Sequence, residues 1–215
     1  MTLPFSFNSG EWVVFDLDDT LYPEWQFLHS GIRHIIKKFK LNKSTRSTRF
    51  YACQKDWIHF LINENSLTLT DQLVYDVLEE YRNHIPSITL REGALQSLRA
   101  LKQQRCSIGL VTDGRSITQR NKLSSLGIHR FLDQIVISEE LGSEKPSFNN
   151  FNSFDQNAPK YYIGDNPRKD FVAPNQLGWT TIMLLDDGYN IHSQDLIVAE
   201  TYQAQFKIES FKDLI

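Results

Sequence analysis

The stretch VVFDLDDTLYPEW, from Val13 to Trp25, constrains this chain more than any other. Val13, Val14, Phe15 and Leu17 form an apolar run that reads as a buried strand, Trp12–Phe15. Asp16, Asp18 and Asp19 stand at its end, where three carboxylates raise one another's pKa and repel. A fold that keeps this stretch must cover the strand on both faces and bring its end to a rim where the charge is compensated.

Further apolar runs repeat the pattern. Ser107–Val111, Gln134–Ile137, Lys160–Ile163 and Thr180–Leu184 read as strands. They are continuous rather than alternating, as in a parallel sheet covered on both faces. Helical spacing lies between them. Glu92–Gln104 carries Ala94, Leu95, Leu98 and Leu101. Ser116–Leu126 carries Ile117, Leu123 and Leu126, and Gly127 stands where a helix stops. The expected fold is α/β, a doubly wound Rossmann-like parallel sheet.

One region breaks the rhythm. Between Tyr22 and about Ser87 no strand is evident, and three apolar stripes appear instead. They are Trp25, Leu28, Ile32, Ile35 and Phe39; then Phe50, Cys53, Trp57 and Phe60; then Leu73, Val74, Val77, Leu78 and Tyr81. An all-helical insertion over 22–87 is expected, with 1–21 and 88–215 forming the core. The insertion is lopsided in charge: residues 25–55 hold eight Lys or Arg and no acid, whereas 63–92 are acidic on balance. Oppositely charged helices lying side by side account for this. The alternative is that Arg33, Lys37 and Lys38 steer an anion.

Asp16, Thr112 with Asp113, and Asp165 each follow an apolar run directly, and Lys145 follows the run ending near Ile137. Each therefore belongs at the carboxyl edge of the sheet, where open α/β sheets bind ligands. Clustered aspartates there suit a hard divalent cation, and Mg²⁺ fits a site with few protein oxygens. A cation, a lysine, a hydroxyl and free amides together would receive a phosphoryl group. The chain has no GxxxxGK[ST] loop, no GxGxxG and no HExxH. Cys53 and Cys106 form no CxxC pair, and Cys106 reads as a buried structural thiol. The net charge of −3 speaks against a nucleic-acid or membrane role. No apolar stretch approaches the ~18–20 residues that span a bilayer, so a cytoplasmic location is expected.

These motifs resemble those of the haloacid dehalogenase (HAD) superfamily. DLDDTLY (Asp16–Tyr22) is similar to its first motif, LVTDG (Leu110–Gly114) to the second, EKP (Glu144–Pro146) to the third and IGDNPRKD (Ile163–Asp170) to the fourth, in family order. The insertion resembles the helical cap of many members. The resemblance implies that Asp16 is the nucleophile, forming an aspartyl-phosphate, and that Asp18 is the general acid and base. It implies that Thr112 and Lys145 act on the phosphoryl oxygens, helped by an amide at Asp113 or Gly114. Asp16, Asp165 and the backbone carbonyl of Asp18 would bind Mg²⁺, with Asp170 behind them. Asp19 would be structural.

Within the superfamily, Asp18 and Asp165 argue against a dehalogenase or a phosphonatase, and a transporting ATPase needs membrane helices. A phosphatase acting on a phosphosugar, sugar acid phosphate or nucleoside monophosphate is expected, with a phosphomutase of the same superfamily as the alternative. A non-catalytic scaffold is the non-enzymatic alternative. Glu24, Trp25, His29 and Arg33 are candidates to face the cleft. Oligomeric state is not legible.

Overall fold

The computed structural model describes residues 4, 6–42, 56–155 and 157–214. Six strands form one all-parallel sheet: β1 (Trp12–Phe15), β2 (Ser107–Thr112), β3 (Gln134–Ile137), β4 (Lys160–Gly164), β5 (Thr180–Leu184) and β6 (Phe206–Ile208). Their order is β3-β2-β1-β4-β5-β6, with β1 at the centre. The chain leaves β1 to one side for β2 and later returns to its other side for β4. The strand order therefore reverses at β1, and such a reversal opens a crevice at the carboxyl edge.

Both faces of the sheet are covered, which explains the continuous apolar runs. Val13 and Phe15 join a core with Leu98, Leu101 and Ile108 on one face. Val14 and Val111 join Phe151, Phe154, Tyr162 and Trp179 on the other. β6 was not expected. Its three residues are too few to register as a strand pattern, and it pairs only at the sheet's edge. The predicted helix over Glu92–Gln104 is observed as Ala94–Gln103. Its start shifts because Gly93, at φ +83°, turns the chain in left-handed.

The segment after β1 is helical: α1 (Trp25–Lys38), α2 (Trp57–Glu64) and α3 (Asp71–Asn83). These helices share an apolar cluster of their own, built on Leu28, Ile32, Ile35, Ile58, Leu61, Ile62 and Val77. Two details depart from expectation. Trp25 is exposed and packs edge-on to His29, so the buried stripe of α1 begins near Phe27 and Leu28. In α2 the buried face is Ile58, Leu61 and Ile62, and Phe60 points outward. An 8-residue helix offers two offset apolar stripes, and the one richer in branched aliphatics turns in. Phe50 and Cys53 lie outside the described residues.

The helix Ala94–Gln103, α4, leads into β2, and α5 (Ser116–Leu126), α6 (Ser138–Leu141), α7 (Pro167–Asp170) and α8 (Val172–Gln176) follow that strand. Gly127 closes α5 at φ +65°, as expected. The inward face of α5 differs from its apolar pattern. Ile117 is exposed, while Thr118, Gln119, Lys122 and Leu123 are buried. Among the described residues no helix is long and apolar enough to cross a membrane.

Candidate active site

Asp16 directly follows β1, Thr112 ends β2, and Asp165 directly follows β4. Register aligns Phe15 with Leu110 on one side and Ile163 on the other. The three residues therefore emerge next to one another, and all are buried. Lys145 comes from the loop after α6. Its Nζ donates to Asp16 Oδ1 at 2.6 Å and to Asp170 Oδ1 at 2.7 Å. Asp170 is fully buried and also accepts the amides of Asp165 (3.1 Å) and Asn166 (2.8 Å). It thereby ties Lys145 to the loop that carries Asp165. Gly164 makes this approach possible, since a Cβ there would lie 2.5 Å from Asp170 Oδ2.

Asp18 faces the same cavity through a different network. Its Oδ1 accepts from Lys122 Nζ at 2.7 Å and from the Tyr22 hydroxyl. Its Oδ2 accepts from Gln119 Nε2 at 2.8 Å. That amide also reaches Thr112 Oγ1 at 2.5 Å, leaving the Thr112 proton free to donate. Asp113 turns its carboxylate to the Lys145 amide and to Lys169 Nζ, both at 3.0 Å. Gly114 is not brought to the cavity. Its amide is spent on Ser138 Oγ at 2.9 Å.

Asp19 lies at φ +56° and accepts the amides of Glu24 (2.8 Å) and Ile191 (3.0 Å). This is a turn-building role. The segment after β5 crosses here as well. Asn190 Nδ2 donates to Asp165 Oδ2 at 2.9 Å, and Gln194 Nε2 donates to the Asp165 carbonyl at 2.8 Å. The cavity is about 230 Å³ and is lined by Asp16, Asp18, Thr112, Lys145 and Asp165. Glu24, Lys169 and His192 also line it, whereas Trp25, His29 and Arg33 do not. His34 and Lys38 instead meet Glu80 of α3 at 3.0 and 3.2 Å, so this part of the basic stretch pairs with an acidic helix.

Electrostatics favour a cation here. Burial pushes Asp16 up, Lys145 offsets part of this and Asp170 adds to it, leaving Asp16 at about 7. Burial, Asp170 and Asp16 push Asp165 well above the carboxylate range. Thr20 Oγ1 lies between the two carboxylates, 3.4 Å from Asp16 Oδ2 and 3.3 Å from Asp165 Oδ1. Carboxylate oxygens of Asp16, Asp165 and Asp170 come within 4.8 Å of one another. Because Asp170 is engaged by Lys145 and two amides, Asp16 and Asp165 are the oxygens left for a metal. Hard, buried, undercompensated oxygens fit Mg²⁺. The side chain of Asp18 is committed to Lys122, Gln119 and Tyr22, so only its backbone could join such a site.

A stability prediction follows from the same groups. Burial also raises Asp19 to about 6, and burial followed by Asp18 raises Glu24 to about 8. Each raised group binds its proton more tightly in the folded chain than in the unfolded one. Its contribution to stability is therefore complete below the ordinary value and is lost as pH rises through the raised one. Metal-free protein should melt at a lower temperature at pH 8.5 than at pH 6. Mg²⁺ should raise the melting temperature more at pH 8.5, where it need not displace protons. Thermal melts across this range check both, and a metal-free melting temperature that climbs with pH would contradict the assignment of buried protonated carboxyls.

Lys122 and Gln119 of α5, with Asn190, Lys169 and His192, were not anticipated from the sequence. The only signal available for the first two was polar residues three apart on a helix whose apolar face was too thin to bury it.

The sheet order and the carboxylate-rich switch point define an α/β enzyme whose nucleophile candidate is an aspartate. Residues 13–184 match the haloacid dehalogenase-like hydrolases, and the chain belongs to that family. It is 27% identical to the glyceraldehyde 3-phosphate phosphatase of Methanocaldococcus jannaschii over 232 aligned residues, covering 94% of each chain. It is 24% identical to the pyrimidine 5'-nucleotidase YjjG of Escherichia coli, over 81% of this chain and 85% of that protein. The HAD-hydrolase YfnB of Bacillus subtilis, solved with magnesium bound, shares its fold with a TM-score of 0.68 at 19% identity, covering 96% of this chain and 97% of that one.

Proposed function

We propose that this chain is a Mg²⁺-dependent phosphatase that hydrolyses a small phosphorylated metabolite through an aspartyl-phosphate on Asp16. One observation carries this reading. Separate segments bring Asp16, Asp18, Thr112 and Lys145 onto a single cavity, with Asp16 held by Lys145 at 2.6 Å. The family and both curated relatives support phosphoric monoester hydrolysis.

In the first step an Asp16 carboxylate oxygen attacks phosphorus and the P–O bond to the leaving alcohol breaks. Asp18 donates a proton to the departing oxygen. In the second step water attacks the same phosphorus, Asp18 takes the water's proton, and the Asp16–phosphorus bond breaks to release inorganic phosphate. Lys145 neutralises charge on Asp16 and the phosphoryl group, and the Thr112 hydroxyl donates to a phosphoryl oxygen. When bound, Mg²⁺ supplies further charge stabilisation at the phosphoryl oxygens. Burial pushes Asp18 up, yet the Lys122 charge and the bonds from Gln119, Lys122 and Tyr22 hold it below the ordinary value. An entering phosphate dianion raises it again, favouring the acid form when the leaving group needs it.

The 22–87 segment is the cap and contributes Glu24 to the cavity wall, with 1–21 and 88–215 as the core. A cavity of about 230 Å³ lies below the ~300–1,000 Å³ of drug-sized sites and favours a small phosphosugar over a nucleotide. The test is phosphate release across phosphosugars, sugar acid phosphates, nucleoside monophosphates and an aryl phosphate. Release should be strongest with small phosphosugars, stop with EDTA and return with excess Mg²⁺. A folded, Mg²⁺-binding protein that releases phosphate from none of them would overturn the phosphatase reading. Release that persists in EDTA would overturn its metal dependence.

A further inference from the structure

Lys122 takes no direct part in the bonds that the proposed chemistry makes and breaks. Its side chain is only 5% exposed, and its Nζ lies 4.4 Å from the centre of the Phe27 ring. Burying an ammonium here has a desolvation cost that an apolar residue of the same length would avoid. Packing alone therefore does not call for lysine.

Its contacts suggest what the charge is for. Lys122 and Gln119 sit three residues apart on α5, on one face. Lys122 takes Asp18 Oδ1 at 2.7 Å, and Gln119 takes Asp18 Oδ2 at 2.8 Å. One rigid helix thus grips both oxygens of one carboxylate. The same Gln119 amide reaches Thr112 Oγ1, which fixes Asp18 relative to the hydroxyl beside the phosphoryl position. The Phe27 face confines the ammonium from the other side.

We infer that Lys122 is a positioning residue, holding the Asp18 carboxylate in the orientation needed for proton transfer. The inference rests on the phosphatase reading. It makes a kinetic prediction that differs from loss of a structural contact. With para-nitrophenyl phosphate the leaving group departs without a proton, so forming the aspartyl-phosphate does not depend on Asp18. Hydrolysing it does, because water must lose a proton to Asp18.

The experiment compares wild type, Lys122→Met and Lys122→Arg on para-nitrophenyl phosphate with Mg²⁺, in steady state and by stopped flow, with a melting temperature for each. In Lys122→Met, kcat should fall by about 10²-fold while kcat/KM stays within a few-fold, so KM falls with kcat. A burst of nitrophenol approaching one per enzyme should precede the slow turnover. Lys122→Arg should recover at least part of kcat. Should Lys122→Met fail to fold, Lys122→Arg carries the test alone, because its displaced donor should lower kcat with kcat/KM retained. Unchanged kcat in Lys122→Met, or kcat and kcat/KM falling together without a burst, would overturn the inference and leave the phosphatase reading intact. Wild type inactive on this ester and on every metabolite above would overturn both.

Discussion

Asp16→Asn should reduce phosphate release by roughly 10⁴–10⁶-fold, the range seen when the nucleophile of a catalytic unit is removed. Asparagine keeps the size of the side chain but its amide cannot form the acyl phosphate. The fold should survive. The Asp16 charge is already disfavoured by burial, at about 7, and its loss relieves repulsion with Asp165 and Asp170. Lys145 keeps Asp170 at 2.7 Å and the Tyr162 hydroxyl at 3.2 Å. The metal-free variant should therefore melt at or above the wild-type temperature at pH 8.5, and its own decline with rising pH should be shallower than the wild type's. Phosphate release and melts on the same preparations separate the two effects. Near-wild-type turnover in Asp16→Asn would remove Asp16 from the nucleophile's role.

What could be read from the sequence depended on whether chemistry and hydrophobicity pointed the same way. Asp16 and Asp165 end apolar strands, so the run that predicts the strand also places the carboxylate. Lys145 was legible for a related reason, since only the short helix α6 and a turn separate it from the end of β3. Lys122 and Gln119 were not, because α5 turns a polar face inward. On a helix with Ile117, Leu123 and Leu126, the natural inward stripe is the apolar one, yet Ile117 is exposed. The site's own charges reverse the usual rule, since a partly buried Asp18 supplies the partner that makes a buried lysine tolerable. Gly114 stands away from the cavity for the opposite reason. Its place beside Thr112 put it near the rim, but sequence adjacency does not say where an amide points, and Ser138 takes it. Asn190 and Gln194 reach Asp165 from a segment without regular periodicity, so no pattern marked them.

Lys145→Met should damage stability and chemistry together, and the pH dependence of the damage identifies its cause. The ammonium is 4% exposed and contacts Asp16 and Asp170, themselves buried. Burial alone would lower its pKa, but those two carboxylates more than offset this and keep it charged. Methionine fills most of the volume and leaves both acids facing one another. Removing one partner of a buried pair costs about 3–5 kcal/mol, on the order of 10 °C in a chain of this size. The acids can escape part of that cost by taking up a proton, which raises Asp16 further in the folded variant. The deficit should therefore be small near pH 5, where the proton is present, and grow as pH rises toward 8.5. Turnover at pH 7 should fall by about 10²–10³-fold, as when a preorganised charge donor is lost. Saturating Mg²⁺ should recover some stability, since it compensates the same carboxylates, but little turnover. A Lys145→Met protein with a melting deficit independent of pH would show that the lysine packs rather than neutralises. One with wild-type turnover would exclude it from the phosphoryl site.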